Sequence, residues 1–357
     1  MLDSNILLYC GAVTTTGVPR PLPPYLRDIK QQPDALQRFL DAGLSPDCRS
    51  LLERLATFDR VVMTGMGASL SGLYPGFLRL AEAGTPVWQV ETAELLGQAG
   101  GLVTDRTLLW VTSQSGRSAE ITALATGLRV QPAAILAVTN DTASPLAQSA
   151  DAILELHSGA EHTVGTRSYL NTLVATAMAV STALREASDP TLMQVPDRVA
   201  EYLEGWDDLT DRIDQTIADS NIFVLGRGAS LAAAITGALI IKEASRRPAE
   251  GMSVPQFRHG PLEMAGPGVT ALVLSGRPED HARNRRMLSD LNALGAKGVW
   301  CDESGDVGTI PTPGLLSRDT QPVAEILPLQ LLSVVLAQRD GHEPGAFRNI
   351  GKVTTSL

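Results

Sequence analysis

The chain carries one short pattern twice. Val61-Val62-Met63-Thr64-Gly65-Met66-Gly67-Ala68-Ser69 recurs as Ile222-Phe223-Val224-Leu225-Gly226-Arg227-Gly228-Ala229-Ser230. Each copy is an apolar run with β-branched residues that stops at Gly-x-Gly-x-Ser and passes into a small-residue, apolar segment. That succession reads as a buried strand, a tight turn and the start of a helix. The duplication predicts two similar α/β units instead of one large sheet, and a site that draws on both.

Composition agrees with that division. At 357 residues the chain exceeds one typical core and suits two domains. A hydrophobic content of 44% supplies apolar surface for two cores of a soluble globular protein. The net charge of −10 argues against a general nucleic-acid surface. It leaves room for a local anion pocket, because backbone amides and helix ends bind phosphate without net positive charge. Cys10, Cys48 and Cys301 show no paired spacing, so neither a disulfide framework nor a zinc site is expected, and a reducing cytoplasm is. Ile6 to Val13 is apolar, but Asp3 stands where a secretory signal has basic residues. No apolar run reaches the roughly 18–20 residues of a membrane span.

Residues 1–25, with Pro19, Pro21, Pro23 and Pro24, read as a loose arm. Amphipathic helices are expected over Tyr25–Leu40 and Cys48–Ala56. Strands then follow at Val61–Thr64, Val87–Val90, Thr107–Thr112, Ala134–Thr139 and Ala152–Leu156, with helical segments between them. A long apolar helix, Tyr169–Ala187, closes this half. After a linker at Asp189–Pro196 and a helix over Asp197–Ala218, strands are expected at Ile222–Leu225, Ala249–Met252, Val269–Leu274, Gly298–Cys301 and Val323–Leu327. Helices at Leu231–Arg246, His281–Leu294 and Leu329–Arg339 alternate with these. The alternation implies an α/β fold with a five-stranded parallel sheet in each half, covered by helices on both faces.

The Gly-x-Gly pair lacks the third glycine of a dinucleotide fingerprint, since Leu70 and Leu231 stand there. A stronger signal is Thr112-Ser113-Gln114-Ser115-Gly116-Arg117-Ser118, directly after the third strand. Ligands of open parallel sheets sit beyond the carboxyl ends of strands. There Ser113, Gln114, Ser115 and Ser118, joined by Ser69, can surround a phosphate with neutral donors; the plainer reading is helix capping by Ser115 or Ser118. In the second half Lys242-Glu243 lies late on an apolar helix, and His259-Gly260-Pro261-Leu262 follows in a turn-rich segment. Glu and His suit proton transfer near neutral pH. Glu243 facing solvent and pairing with Arg246 or Arg247 is the alternative, as a free surface lysine is for Lys352.

Ser-Gln-Ser-Gly at 113–116, Leu-Gly-Arg-Gly at 225–228, Lys-Glu at 242–243, His-Gly-Pro-Leu at 259–262, Pro-Leu-Gln-Leu-Leu at 328–332 and the Lys352-Val353-Thr354 tail together resemble the tandem sugar isomerase (SIS) domain family. Its members include the isomerase half of glucosamine-fructose-6-phosphate aminotransferase and the aminosugar-phosphate deaminases. The resemblance spans about residues 25–357. It implies two three-layer αβα domains of flavodoxin-like type: domain 1 at 26–190 holding phosphate, domain 2 at 197–345 carrying acid/base residues, and a tail at 346–357 over the site. By the same resemblance Ser69, Ser113, Gln114, Ser115 and Ser118 match phosphate-holding positions. Glu243 matches the acid/base between C1 and C2, and His259 the ring-opening histidine that reaches the site from a neighbouring subunit. Lys352 matches the lysine that contacts the open-chain carbonyl and can form a Schiff base, for which partial desolvation under a folded tail would serve.

Departures shape the expectation further. Ile240-Ile241-Lys242-Glu243 stands where the aminotransferases have Lys-Leu-Lys-Glu, and Thr166-Arg167 where the family has Thr-Lys. No glutaminase domain precedes the pair, so an ammonia supply of its own is not expected. Thr166-Arg167-Ser168-Tyr169-Leu170 and the short ending look more like the deaminase branch. The expectation is a cytoplasmic, homodimeric aminosugar-phosphate deaminase/isomerase that converts glucosamine 6-phosphate or a close relative to a ketose phosphate and ammonia. Its partner is a hexose or hexosamine 6-phosphate, with no metal, cofactor, nucleic acid or membrane. The alternatives are a deglycase, a plain sugar-phosphate isomerase, or a non-catalytic sugar-phosphate sensor.

Overall fold

The computed structural model describes residues 22–315 and 317–356. Most of the expected arm, the Ile6–Val13 run and Cys10 therefore lie outside the described residues. From Pro24 the chain is helical, and α1 (Pro24–Lys30) and α2 (Gln32–Ala42) take the place of the single helix expected over Tyr25–Leu40. Pro33 causes the break, because it has no N–H to give to the Ile29 carbonyl. The Gln32 side-chain amide donates there instead, at 3.0 Å. Helix α3 (Pro46–Glu53) follows, with Ser45 accepting from the Cys48 N–H as its cap.

The first sheet contains β1 (Arg60–Gly65), β2 (Val87–Glu91), β3 (Thr107–Thr112), β4 (Ala134–Thr139) and β5 (Ala152–Glu155). Its strands are all parallel, in the order β2-β1-β3-β4-β5. Around it lie α4 (Gly67–Ser71), α5 (Tyr74–Glu82), α6 (Thr92–Leu96), α7 (Ala119–Gly127), α8 (Pro145–Gln148) and α9 (Arg167–Leu184). Two helices, α10 (Val195–Glu204) and α11 (Trp206–Thr216), lead to the second sheet. That sheet has β6 (Asn221–Gly226), β7 (Ala249–Ser253), β8 (Val269–Leu274), β9 (Lys297–Asp302) and β10 (Thr309–Pro311). It is again all parallel, in the order β10-β9-β8-β6-β7, the first sheet's order strand for strand. Helices α12 (Ser230–Ser245), α13 (Val254–Arg258), α14 (Pro278–Ala293) and α15 (Gln321–Arg339) complete this half. Every residue of β3 and of β8 is buried, as central strands covered on both faces must be.

One expected strand is a helix. Val323–Leu327 forms the first turns of α15, and the fifth strand is the three-residue β10. A fully buried helix has no polar face to set a 3.6-residue period, so its opening run reads like a buried strand. Helix α15 runs straight through Pro328. This helix is also long and apolar enough to cross a membrane, and 94% of that stretch is buried within the fold.

The repeated glycines have the same two tasks in each half. A Cβ on Gly65 would stand 2.8 Å from the Thr112 carbonyl oxygen, and one on Gly226 would stand 2.5 Å from that of Ser230. The second glycines, Gly67 and Gly228, turn the chain with φ of +53° and +55°. The two halves then join through helices. α12 packs along α15 and reaches across to α4, where the Ser71 and Thr236 hydroxyls meet at 2.6 Å. The N-terminal helices clamp α15: Tyr25 OH lies 2.9 Å from the Ser333 hydroxyl, and Gln32 and Gln330 exchange amide bonds of 2.9 and 3.0 Å. One hydrophobic cluster runs from Tyr25 through α9 and α12 to Leu336. The late part of α12 is thereby carried to the carboxyl end of the first sheet.

Candidate functional site

A cleft of about 300 Å³ opens at that end of the first sheet, where the strand order reverses between β1 and β3. Ser69 enters from the turn after β1, and Ser113, Gln114, Ser115 and Ser118 from the loop after β3. The loop is held by its own backbone. Ser113 N–H continues the ladder to the Val138 carbonyl at 2.9 Å, and its hydroxyl accepts from Gly116 N–H at 3.1 Å. Gly116, at φ +61°, has the Ser144 hydroxyl where a Cβ would stand, so only glycine fits this bend. Ser118 takes the N-cap position of α7 without making a side-chain cap bond, which leaves its hydroxyl to the cleft. Ser115 does receive a local bond, from Arg117 N–H at 3.2 Å. The Arg117 guanidinium turns outward to Asp141 at 2.8 Å, so the loop presents neutral donors. In the same wall Thr112 Oγ1 and Thr163 Oγ1 are buried without a partner among the described residues.

The facing wall belongs to the second half and to the tail. Glu243 projects from α12 and is half-buried, with no hydrogen-bond or ion-pair partner among the described residues. Arg246 bonds the Ala346 carbonyl, and Arg247 bonds Asp219 and Asp340, so the expected surface pairing does not form. Burial pushes the Glu243 carboxyl up to about 6; the nearby Lys352 charge opposes the rise, and Glu161 adds to it. The tail crosses the cleft with Ile350 to Thr354 in its lining, and the Thr354 carbonyl accepts from Ala119 N–H at the start of α7, 3.0 Å.

Lys352 is not a free surface lysine. Its Nζ donates to Glu161 Oε2 at 2.7 Å and to the Thr163 carbonyl at 2.6 Å. Sequence reasoning missed Glu161. Its side chain is fully buried, and it also accepts from Thr166 N–H and hydroxyl (2.8 and 3.1 Å) and from Ser168 N–H and hydroxyl (3.2 and 2.7 Å). Burial opposes its ionisation, but the Lys352 charge and these donors outweigh that, and its carboxyl sits below the ordinary carboxylate range. The available signal was an acid placed shortly before hydroxyl residues at a helix start, where the dipole favours a negative charge. Arg167 leaves the cleft, pairing with the buried Asp28 at 2.8 Å.

His259 is exposed at the end of α13 and does not line this cleft within the single chain. The structure thus brings together seven of the eight candidate residues: five hydroxyl or amide donors, one carboxylate and one ammonium. Such a set can hold an oxyanion at one wall and move a proton at the other. Among the described residues no cluster of three His, Cys, Asp or Glu side chains could hold a metal ion.

Comparison with known proteins places this architecture among relatives. The family model for the SIS domain matches residues 54–184 and 217–299. The glutamine–fructose-6-phosphate aminotransferase of Thermococcus kodakarensis is 30% identical over 358 residues, covering 92% of this chain and 57% of its own length. The chain therefore spans little more than half of that relative. Among solved structures, the C-terminal domain of glucosamine-fructose-6-phosphate aminotransferase from Francisella tularensis superposes with a TM-score of 0.79 at 22% identity, covering 94% of this chain and 100% of that one. Glucosamine-6-phosphate deaminase from Thermotoga maritima gives 0.76 at 18% identity, covering 94% and 100%. Both share the fold.

Proposed function

The chain belongs to the SIS (sugar isomerase) domain family, and on that footing we propose that it is an aminosugar-phosphate deaminase/isomerase acting on glucosamine 6-phosphate or a close relative. One observation carries this reading: an unpaired, half-buried carboxylate held near pKa 6 and a tail lysine face a loop of neutral donors across a single cleft. The phosphate lodges against Ser69, Ser113, Gln114, Ser115 and Ser118, with the start of α7 behind it. Ring opening exposes the C1 aldehyde, a step the family resemblance gives to His259 of a neighbouring subunit. Glu243 takes the C2 proton, and the electron pair moves into a C1–C2 enolamine. Reprotonation at C1 leaves a C2 imine, water adds to C2, and ammonia departs from a ketose phosphate. Lys352 lies on the same wall to polarise the carbonyl oxygen or bind the carbonyl carbon transiently.

The relative from Thermococcus kodakarensis is named for a hexose 6-phosphate and an amino group, which supports the substrate class. A deglycase or plain isomerase of the same fold would use the same carboxylate and release no ammonia from an aminosugar. A sensor would need the donor loop alone. The deciding experiment is ammonia release over a panel of hexosamine 6-phosphates. Release from at least one is expected, whereas folded protein that turns over none of them refutes the deaminase reading.

A further inference from the structure

The two halves are built alike, yet where the first has an open cleft at its switch point, the corresponding groups of the second are buried. The corresponding groups of the second half can be placed by their hydrogen bonds. Ser230 follows Gly226-Arg227-Gly228 as Ser69 follows Gly65-Met66-Gly67, and each serine N–H bonds the carbonyl three residues back. Ser275 N–H bonds the Cys301 carbonyl of β9 as Ser113 N–H bonds the Val138 carbonyl of β4. Gly276 is therefore the counterpart of Gln114.

Between these counterparts sits a carboxylate. Glu325 comes from the first turns of α15, and its Oε1 accepts from Gly276 N–H at 3.1 Å and from Gln321 Nε2 at 3.1 Å. The Ser230 hydroxyl lies close to it, and the second carboxyl oxygen, Oε2, is buried without a hydrogen-bond partner among the described residues. Ser230, Ser275, Gln321 and Glu325 are all at most 2% exposed, so the place is filled. Arg227, half-buried, is engaged with Asn284 at 3.3 Å and Asp280 at 3.9 Å.

We propose that the second domain keeps an oxyanion cradle equivalent to that of the first, and that Glu325 occupies it as a built-in substitute for a ligand's phosphate. Two independent observations support it: the repeat geometry places the donors, and a buried carboxyl group lies among them. Burial pushes the Glu325 carboxyl up to about 7, while Ser230, Gly276 and Gln321 pull it back down, as donors aimed at an anion do. One substrate per chain follows, because the second site is closed by the chain itself. The inference rests on reading the first cleft as a phosphate site.

Binding of inorganic phosphate to wild type, E325A, S115A and the double variant separates the two ideas. Removing the carboxylate vacates the cradle, so E325A is expected to bind an additional phosphate per chain that S115A does not remove. E325A binding no more phosphate than wild type overturns the proposal. Wild type binding none, with E325A gaining a site, would uphold the cradle and refute the phosphate reading of the first cleft. Should E325A fold poorly, its refolding yield is compared in phosphate and in chloride of equal ionic strength. A higher yield in phosphate supports the cradle, and equal yields overturn it.

Discussion

At the scale of single residues, burial sets the chemistry of the cleft. Glu243 has an elevated pKa because it is half-enclosed and unpaired, while Glu161 a short way off has a low one because five hydrogen bonds, one from Lys352, hold it charged. Two carboxylates thus lie near one lysine in different states: Glu161 is paired with it, and Glu243 has no hydrogen-bond or ion-pair partner among the described residues. Replacing Glu243 with Gln is expected to lower kcat roughly 10²–10⁴-fold while phosphosugar binding survives. Loss of binding together with turnover would instead make Glu243 a binding residue. A base must be ionised, so with a carboxyl near 6 the wild-type kcat/KM should fall as pH drops through about 6. A profile flat from pH 7 to 5 contradicts the assignment. The local sequence around Glu161 shows only an acid before a helix start, since the lysine that pairs with it is supplied from the other end of the chain.

At the scale of elements, the repeated turn explains its own glycines. The first glycine of each copy has carbonyl oxygen where a side chain would go, and the second needs only a left-handed backbone. G226A must push a helix start off its strand, which costs about 1–3 kcal/mol by overpacking. G228A, with nothing within 4 Å of its Cβ, carries only the left-handed strain of about 1–2 kcal/mol. Urea denaturation should therefore find G226A the less stable of the two. The reverse order would mean that the turn, and not the close approach, limits this motif. Strands β3, β4 and β8 were legible to the residue, because a covered parallel strand is an unbroken apolar run with polar ends. Helix α15 was not, because burial on every side erases the periodicity by which a helix is recognised.

At the scale of the whole molecule, the cleft is assembled from three distant stretches: the loops of the first sheet, α12 of the second half, and the tail. His259 lies outside it in the single chain, and the family resemblance supplies that histidine from a neighbour. If so, mixing E243Q with H259A should restore activity, since a mixed dimer contains one site with both native residues. Random exchange would give about a quarter of the wild-type sites. Mixed dimers that form and remain inactive exclude the shared site.

The sequence by itself determined the doubled parallel sheet, the polar loop after the third strand, and the residue types able to hold phosphate and move a proton. Those features are local: an apolar run, a glycine that permits a bend, and hydroxyls beside a helix start declare themselves within a few residues. Only the tertiary structure decided that Glu243 stays unpaired, that Lys352 is held by Glu161, and that Glu325 closes the second cradle. Each of those depends on which distant groups share a buried space, and pairing and desolvation across such distances leave no trace in the order of residues.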